Sequence, residues 1–441
     1  MPDVVFAYTE PTVPRSSKAS ILVALSAVAL AFAGGCSKPP TPNGNTPPAA
    51  SVERPAQTVP ATSDAQVATA PVDAGQNDAR AEAVVAETPP PGADLTPQAM
   101  ALFKTAACGG DHAPPPGIPS TLTDAHCKEL AASYAEYKHT WVDVAGPFLA
   151  KLRPAGLPET VVYPFGGGDL VTALATFPDA REITTISLEP AADPRGIDGV
   201  KTPELTRSLR DIRAHLGKLF LKAHSRTDNL DLESKSALPG EIVFSMAALV
   251  VHGFEPVSLR YFRFEDDGKI RYVTDDDLKA AGDKKGQKSL FQNAELRFKK
   301  PGEARSRVLR HVGYDLSDGN LKLRPQIMKH LEAKGKVSAM TKAASHLLWD
   351  DGFSIVREYL LTHMEWMISD TTGIPPRRIK GRGFVHEVYG QYEWPEPFGS
   401  VNNRDATDFK ELFKGKDPIS FRYGYPDNHS HGHIVVTKKG P

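Results

Sequence analysis

The sequence predicts an α/β fold with a mixed central sheet, and three observations predict it. Residues 160–188 read as strand, glycine turn, helix and strand, the unit of a parallel sheet. Patterns of helical and strand period then alternate as far as residue 438. Between two strand patterns, Asp266-Asp267-Gly268 marks a hairpin turn, so part of the sheet is antiparallel.

The elements follow in order. Thr96 is expected to cap a helix that opens on Pro97 and runs to 107. Leu130, Tyr134, Tyr137, Trp141 and Val144 lie close to helical spacing and predict a helix over 124–153. Thr160-Val-Val-Tyr-Pro-Phe165 is an apolar strand, although Pro164 favours an edge or irregular position for it. Gly166-Gly167-Gly168 turns the chain, and Asp169 can cap a helix to 177. A second strand over 183–188 completes a Rossmann-like first βαβ unit. Helices are expected at 203–223 and 240–252, and strands at 257–264 and 269–274 about the hairpin turn. Strands near 294–299 and 307–315 precede a helix at 321–334. A strand at 337–348, a helix at 353–363 and a strand at 364–369 repeat the alternation. The end reads as strands at 383–393, 419–425 and 433–438.

The 441 residues carry 52 Lys and Arg against 53 Asp and Glu, a net charge of −1. No basic excess points to nucleic acid, and no acidic tail suggests a solvating segment. Of the three cysteines, Cys108 and Cys127 are expected to form one disulfide. A zinc site shared with His112 and His126 is the alternative, but adjacent His126-Cys127 is awkward for one tetrahedral ion.

The first 35 residues read as an export signal. Arg15 and Lys18 give a positive start, and an apolar run over 19–32 is shorter than the roughly 20 residues of a membrane span. Ala33-Gly34-Gly35-Cys36 resembles a bacterial lipobox, with Glu10 ahead of Arg15 as a departure that leaves the start codon open. That resemblance implies cleavage before Cys36 and acyl chains on its thiol and amine, an anchor at a membrane of the cell envelope. An outer-membrane position facing the periplasm or the surface is expected. Each buried CH₂ contributes about 0.8 kcal/mol, so several chains hold where one would not. Residues 36–95 are rich in Pro, Ala, Thr and Ser with no aromatic, and read as a disordered tether. Its end-to-end distance as a coil is on the order of 40 Å. The α/β domain is expected over 96–441.

Several further stretches resemble an uncharacterised family of secreted and lipid-anchored bacterial proteins. They are Tyr163-Pro-Phe-Gly-Gly-Gly-Asp169, Phe177-Pro178, Leu188-Glu189-Pro190, Lys342-Ala-Ala-Ser-His346, Phe353-Ser354, Ser369-Asp-Thr-Thr-Gly-Ile-Pro375, Tyr389-Gly-Gln-Tyr392 and Tyr423-Gly424-Tyr425. The resemblance spans about 155–440 in one order and implies the fold and the export. It implies no reaction. The last hairpin departs from it, being histidine-rich where the family's is expected to be rich in Ser and Asn.

Three places carry candidate chemistry. In the first, Gly166, Gly167, Gly168 and Asp169, with Glu189 at the end of the next strand, outline a nucleotide site. Val171 replaces the third glycine of the fingerprint and Asp169 repels a phosphate, so a tight βα turn with an Asp cap is favoured. We expect no NAD, S-adenosylmethionine or other cofactor. In the second, Lys342, Ser345 and His346 on a strand, with Asp370 ending the next, are placed to converge beyond the carboxyl ends of the sheet. They form either a polar pocket or a buried ion pair with helix caps. In the third, His429, His431 and His433 alternate, so an extended segment puts three imidazoles on one side, as zinc or copper requires. Pro426-Asp427-Asn428 argues instead for a solvated hairpin tip. No Gly-x-Ser-x-Gly, His-Glu-x-x-His or EF-hand pattern occurs. The reading favoured is a lipid-anchored binding or envelope-assembly module. An envelope hydrolase needing no diffusible cofactor is the alternative, favoured by an open cleft at the sheet edge.

Overall fold

The computed structural model describes residues 90–114, 116–222, 237–282, 287–392, 403–424 and 432–440. Cys36, the expected tether up to 89, and His429 and His431 lie outside the described residues.

The helices and strands, in chain order, begin with α1 (Thr96–Thr105), α2 (Ser120–Tyr137), α3 (Asp143–Leu152), β1 (Thr160–Pro164), α4 (Leu170–Thr176) and β2 (Glu182–Ser187). Then come α5 (Thr202–Lys222), α6 (Gly240–His252), β3 (Glu255–Phe264), β4 (Ile270–Tyr272), α7 (Asp275–Ala280), β5 (Asn293–Lys299) and β6 (Arg307–Gly313). The rest are α8 (Asp318–Leu323), α9 (Gln326–Glu332), β7 (Val337–Thr341), α10 (Ser354–His363), β8 (Met364–Ser369), α11 (Pro376–Ile379), β9 (Phe384–Gly390), α12 (Asn403–Leu412) and β10 (His433–Lys439).

The fold is α/β, and its mixed sheet has ten strands in the order β4-β3-β5-β6-β2-β1-β7-β8-β10-β9. The central strands β6, β2, β1, β7 and β8 are parallel. Antiparallel strands extend both sides. Alternation along β1 sends Val161 and Tyr163 to one face and Val162 to the other. On the first face α1 to α6 bury Leu102, Leu130, Leu149, Leu174, Leu209 and Phe244. On the second, α8 to α10 bury Leu321, Ile327, Leu331 and Leu360. The connection from β1 to β2 puts α4 on the first face, and that from β7 to β8 puts α10 on the second. Right-handed crossovers leading away in opposite directions must do this. The seam between β1 and β7 is therefore the topological switch point, where ligands bind in open α/β sheets.

Several expectations need correction. β1 is central, not an edge strand. Pro164 is tolerated because it ends the strand, beyond the last pair with β7 at Val162. The strand expected over 337–348 stops at Thr341, because Ala343 takes a positive φ of 52° and a 3₁₀ helix follows over Ala343–Trp349. Pro325, unable to donate, divides the helix expected over 321–334 into α8 and α9. Among the described residues of 419–425, Ile419 makes only an isolated bridge to Gly432. The helix expected over 124–153 begins earlier and passes through a π-helical turn, Lys138–Val142. Thr96 does not cap α1 with its side chain. Asp94 accepts the Thr96 N–H at 3.0 Å, while the Thr96 hydroxyl accepts from Leu259 N at 3.2 Å. Ala93 and Leu95, expected in the tether, are buried and bond to Val273 and Leu259 of the sheet.

Cys108 and Cys127 are bonded, with 5.3 Å between their Cα atoms. Oxidation leaves no thiolate for zinc. His126 instead lies 2.9 Å from the carbonyl of Ala106, with Arg213 at its other nitrogen.

Candidate functional site

The residues singled out from the sequence meet at the switch point. Where β1 ends, Phe165 and Gly167 both adopt positive φ, and Gly166 is required because a Cβ there would stand 2.5 Å from the Tyr163 ring. The turn delivers Asp169 to the start of α4. Its Oδ1 accepts the N–H of Thr172 at 3.3 Å, the cap expected from the sequence. Its Oδ2 accepts the Tyr163 hydroxyl at 2.8 Å and pairs with Lys342 Nζ at 2.6 Å.

Lys342 follows the last residue of β7. Its ammonium also donates to Thr172 Oγ1 at 3.0 Å and lies 5.6 Å from the centre of the Tyr423 ring. Asp169 and Lys342 are each only 2% exposed. The strained Ala343 then aims its N–H at Asp370 Oδ2, 2.9 Å away. Asp370 follows β8, and its other oxygen accepts the N–H of Thr372 at 2.9 Å and the Thr372 hydroxyl. Thr372 Oγ1 lies 2.6 Å from Ser345 Oγ. Gly424, at φ 78°, completes the closure, since a Cβ there would stand 2.2 Å from Asp370 Oδ2.

Lys342, Ser345 and His346 therefore do not share a strand. Lys342 leads out of β7, and the other two lie on the 3₁₀ helix. The charges pair differently from a Lys–His–Asp pocket. Lys342 takes Asp169, while Asp370 ties down two backbone N–H groups. His346 sits 3.3 Å from the carbonyl of Ala343 through Nδ1, and burial lowers its pKa. Ser345 and Asp370 are fully buried. The arrangement is a buried polar network that joins β1, β7 and β8 at their carboxyl ends. Away from this network, a cleft of about 700 Å³ opens beside Asp193, Arg195 and Phe291, and one of about 560 Å³ opens at the carboxyl ends of β2 and β6, beside Leu188, Arg263 and Tyr314.

The sequence reading missed the groups that complete this network. Tyr163, Thr372 and Tyr423 stand in the sequence only as members of the motifs, and Thr172 only as a helix residue. Two acids beside the turn, Glu189 and Glu241, meet at a separate cluster with His311, where Gly168 is packed against Glu241. Only Glu189 was singled out. The signal for Glu241 was present, a lone acid heading the apolar run 240–251.

His433 opens β10, is 1% exposed, and lies 3.1 Å from Thr371 Oγ1. It is a buried strand residue and not part of a solvated tip. Among the described residues, no three His, Cys, Asp or Glu side chains are grouped to hold a metal ion. No helix among them is long and apolar enough to cross a membrane. No family model, no curated protein and no solved structure matches this chain.

Proposed function

We propose that this is a lipid-anchored protein of the cell envelope whose α/β domain is a binding or assembly module. The observation that carries the second half is the Asp169–Lys342 pair. It places a buried ion pair at the switch point, where open α/β sheets bind their ligands. Lys342 is held by Asp169 and Thr172, and Ser345 by Thr372, which itself bonds Asp370, so these groups serve to join strands. The disulfide supports an oxidising compartment, and the lipobox-like Ala33-Gly34-Gly35-Cys36 supports the anchor. The ordered motifs from Tyr163 to Tyr425 support kinship with the secreted and lipid-anchored family they resemble.

Two measurements test the reading. Palmitate labelling of cells should mark the wild-type chain and not Cys36→Ala; equal labelling removes the anchor. Cross-linking in intact envelopes should capture the same partner for wild type and Ser345→Ala. Hydrolysis of ester, amide or glycosidic envelope substrates that is lost in Ser345→Ala would instead establish the hydrolase.

A further inference from the structure

Beside the glycine turn lies a second polar cluster, separate from the Asp169–Lys342 pair. Glu241 is the second residue of α6 and is 3% exposed, and neither carboxyl oxygen has a hydrogen-bond partner. From β6, His311 places Nδ1 3.7 Å from Glu241 Oε2, beyond hydrogen-bond length. The other ring nitrogen, Nε2, is 2.9 Å from the carbonyl oxygen of Glu189. A carbonyl only accepts, so Nε2 carries the hydrogen and donates it. Nδ1 then turns its lone pair toward Glu241, with the Thr185 hydroxyl of β2 at 3.3 Å.

The remaining neighbours supply no positive charge. Glu189, just past β2, brings a second carboxyl whose Oε1 is also buried and unpartnered. From the turn, Gly168 leaves only enough room, since a Cβ there would stand 3.1 Å from Glu241 Oε2 and 3.0 Å from Phe244. Asp169, the next residue, is committed to Lys342. Among the described residues no lysine or arginine forms an ion pair with Glu241. A carboxylate buried without donor or cation is strongly disfavoured, so the group keeps its proton.

We propose that Glu241 and His311 form a one-proton switch under the glycine turn: Glu241 holds the proton at neutral pH, and its loss parts the first turn of α6 from residues 166–169. Burial, reinforced by Glu189, pushes the Glu241 carboxyl well up, and burial pushes the His311 imidazole down. Ionised Glu241 would face the Glu189 carboxyl from a buried position closed by Gly168 and Phe244, and separation of α6 from the turn relieves both repulsion and desolvation. That movement would uncover the sealed carboxyl edge at Asp169. The switch stands independently of the proposed binding role.

The sign follows from a carboxyl raised above its ordinary value of 4.5. Its contribution to stability is complete below that value and is lost as pH rises toward the folded-state value. In the full mature chain, the unfolding constant of wild type relative to Glu241→Gln should rise up to tenfold per pH unit above about 5. Amide exchange at residues 166–169, corrected for base catalysis, should accelerate with alkali in wild type and not in Glu241→Gln. Equal pH slopes in the two chains overturn the proposal. If the variant does not fold, glutamate-labelled wild type is read by infrared spectroscopy. A protonated carboxyl band present at pH 7 and lost in alkali together with turn protection supports the switch, and full ionisation of all glutamates at pH 7 overturns it.

Discussion

Removing Lys342 should be among the costliest single changes at the sheet edge. Lys342→Met leaves the Asp169 carboxylate buried, held only by the Tyr163 hydroxyl at 2.8 Å and the Thr172 N–H at 3.3 Å. Breaking a buried pair from one side costs about 3–5 kcal/mol, because the remaining charge is uncompensated. Asp169→Asn strands the Lys342 ammonium and should cost a similar amount, while an Asn keeps the helix cap, worth about 1 kcal/mol. Asp169→Asn with Lys342→Met removes both charges and keeps the cap, so it should be far milder than the sum of the singles. The coupling expected from the double-mutant cycle is on the order of 3 kcal/mol. Urea unfolding followed by tryptophan fluorescence and circular dichroism gives all four stabilities, with coincident transitions as the check on two-state behaviour. A Lys342→Met cost below about 1 kcal/mol would show that water reaches the pair, as it does for exposed salt bridges. Additive single costs would refute the network.

Three further outcomes are expected. Free-thiol counting on unfolded protein purified from the envelope should find no thiol at Cys108 or Cys127, and Cys127→Ser should lower stability by about 3 kcal/mol for a loop of this length. Burial opposes ionisation of Glu182, but Lys334 and Arg310 outweigh it and hold its pKa down to about 2. Its contribution of about 3 kcal/mol is thus present above the ordinary value of 4.5 and lost as pH falls toward 2, and Glu182→Gln should flatten acid unfolding over that range. Calorimetry should find no micromolar binding of NAD, because Asp169 places a carboxylate beside the glycine turn where its pyrophosphate would rest, nor of S-adenosylmethionine, a cofactor not expected in the envelope. Saturable binding that Gly166→Val abolishes would reverse that conclusion.

What was legible in the sequence is what neighbours in the chain decide. The unit from Thr160 to Ser187 was readable because its strand periodicity, its glycines and the Asp169 cap all act within a few residues. The hairpin at Asp267-Gly268 was readable for the same reason, and the Cys108–Cys127 pair because only two cysteines remain once Cys36 is assigned to lipid. Errors arose where local signals compete. Pro325 was overridden by the apolar spacing around it, and residues 342–348 were read as continuing the strand although Ala343 reverses the chain.

The pairing of charges belonged to tertiary structure alone. Asp169 and Lys342 are more than 170 positions apart, and only the placement of β7 beside β1 brings them to 2.6 Å. Strand order is likewise set by which apolar faces fit together over the whole sheet, so the central position of β1 was invisible in its five residues. The same packing decides protonation. Glu241 reads as an ordinary acid at the head of a helix, and becomes a neutral one only because β6, the end of β2 and the glycine turn enclose it without a counter-charge. By itself the sequence determined the fold class, the disulfide and, of the polar residues at the sheet's carboxyl edge, Asp169, Lys342, Ser345, His346 and Asp370. Only the folded chain decided whether those residues open toward a ligand or bind one another, because burial and long-range contact are properties of the packed state.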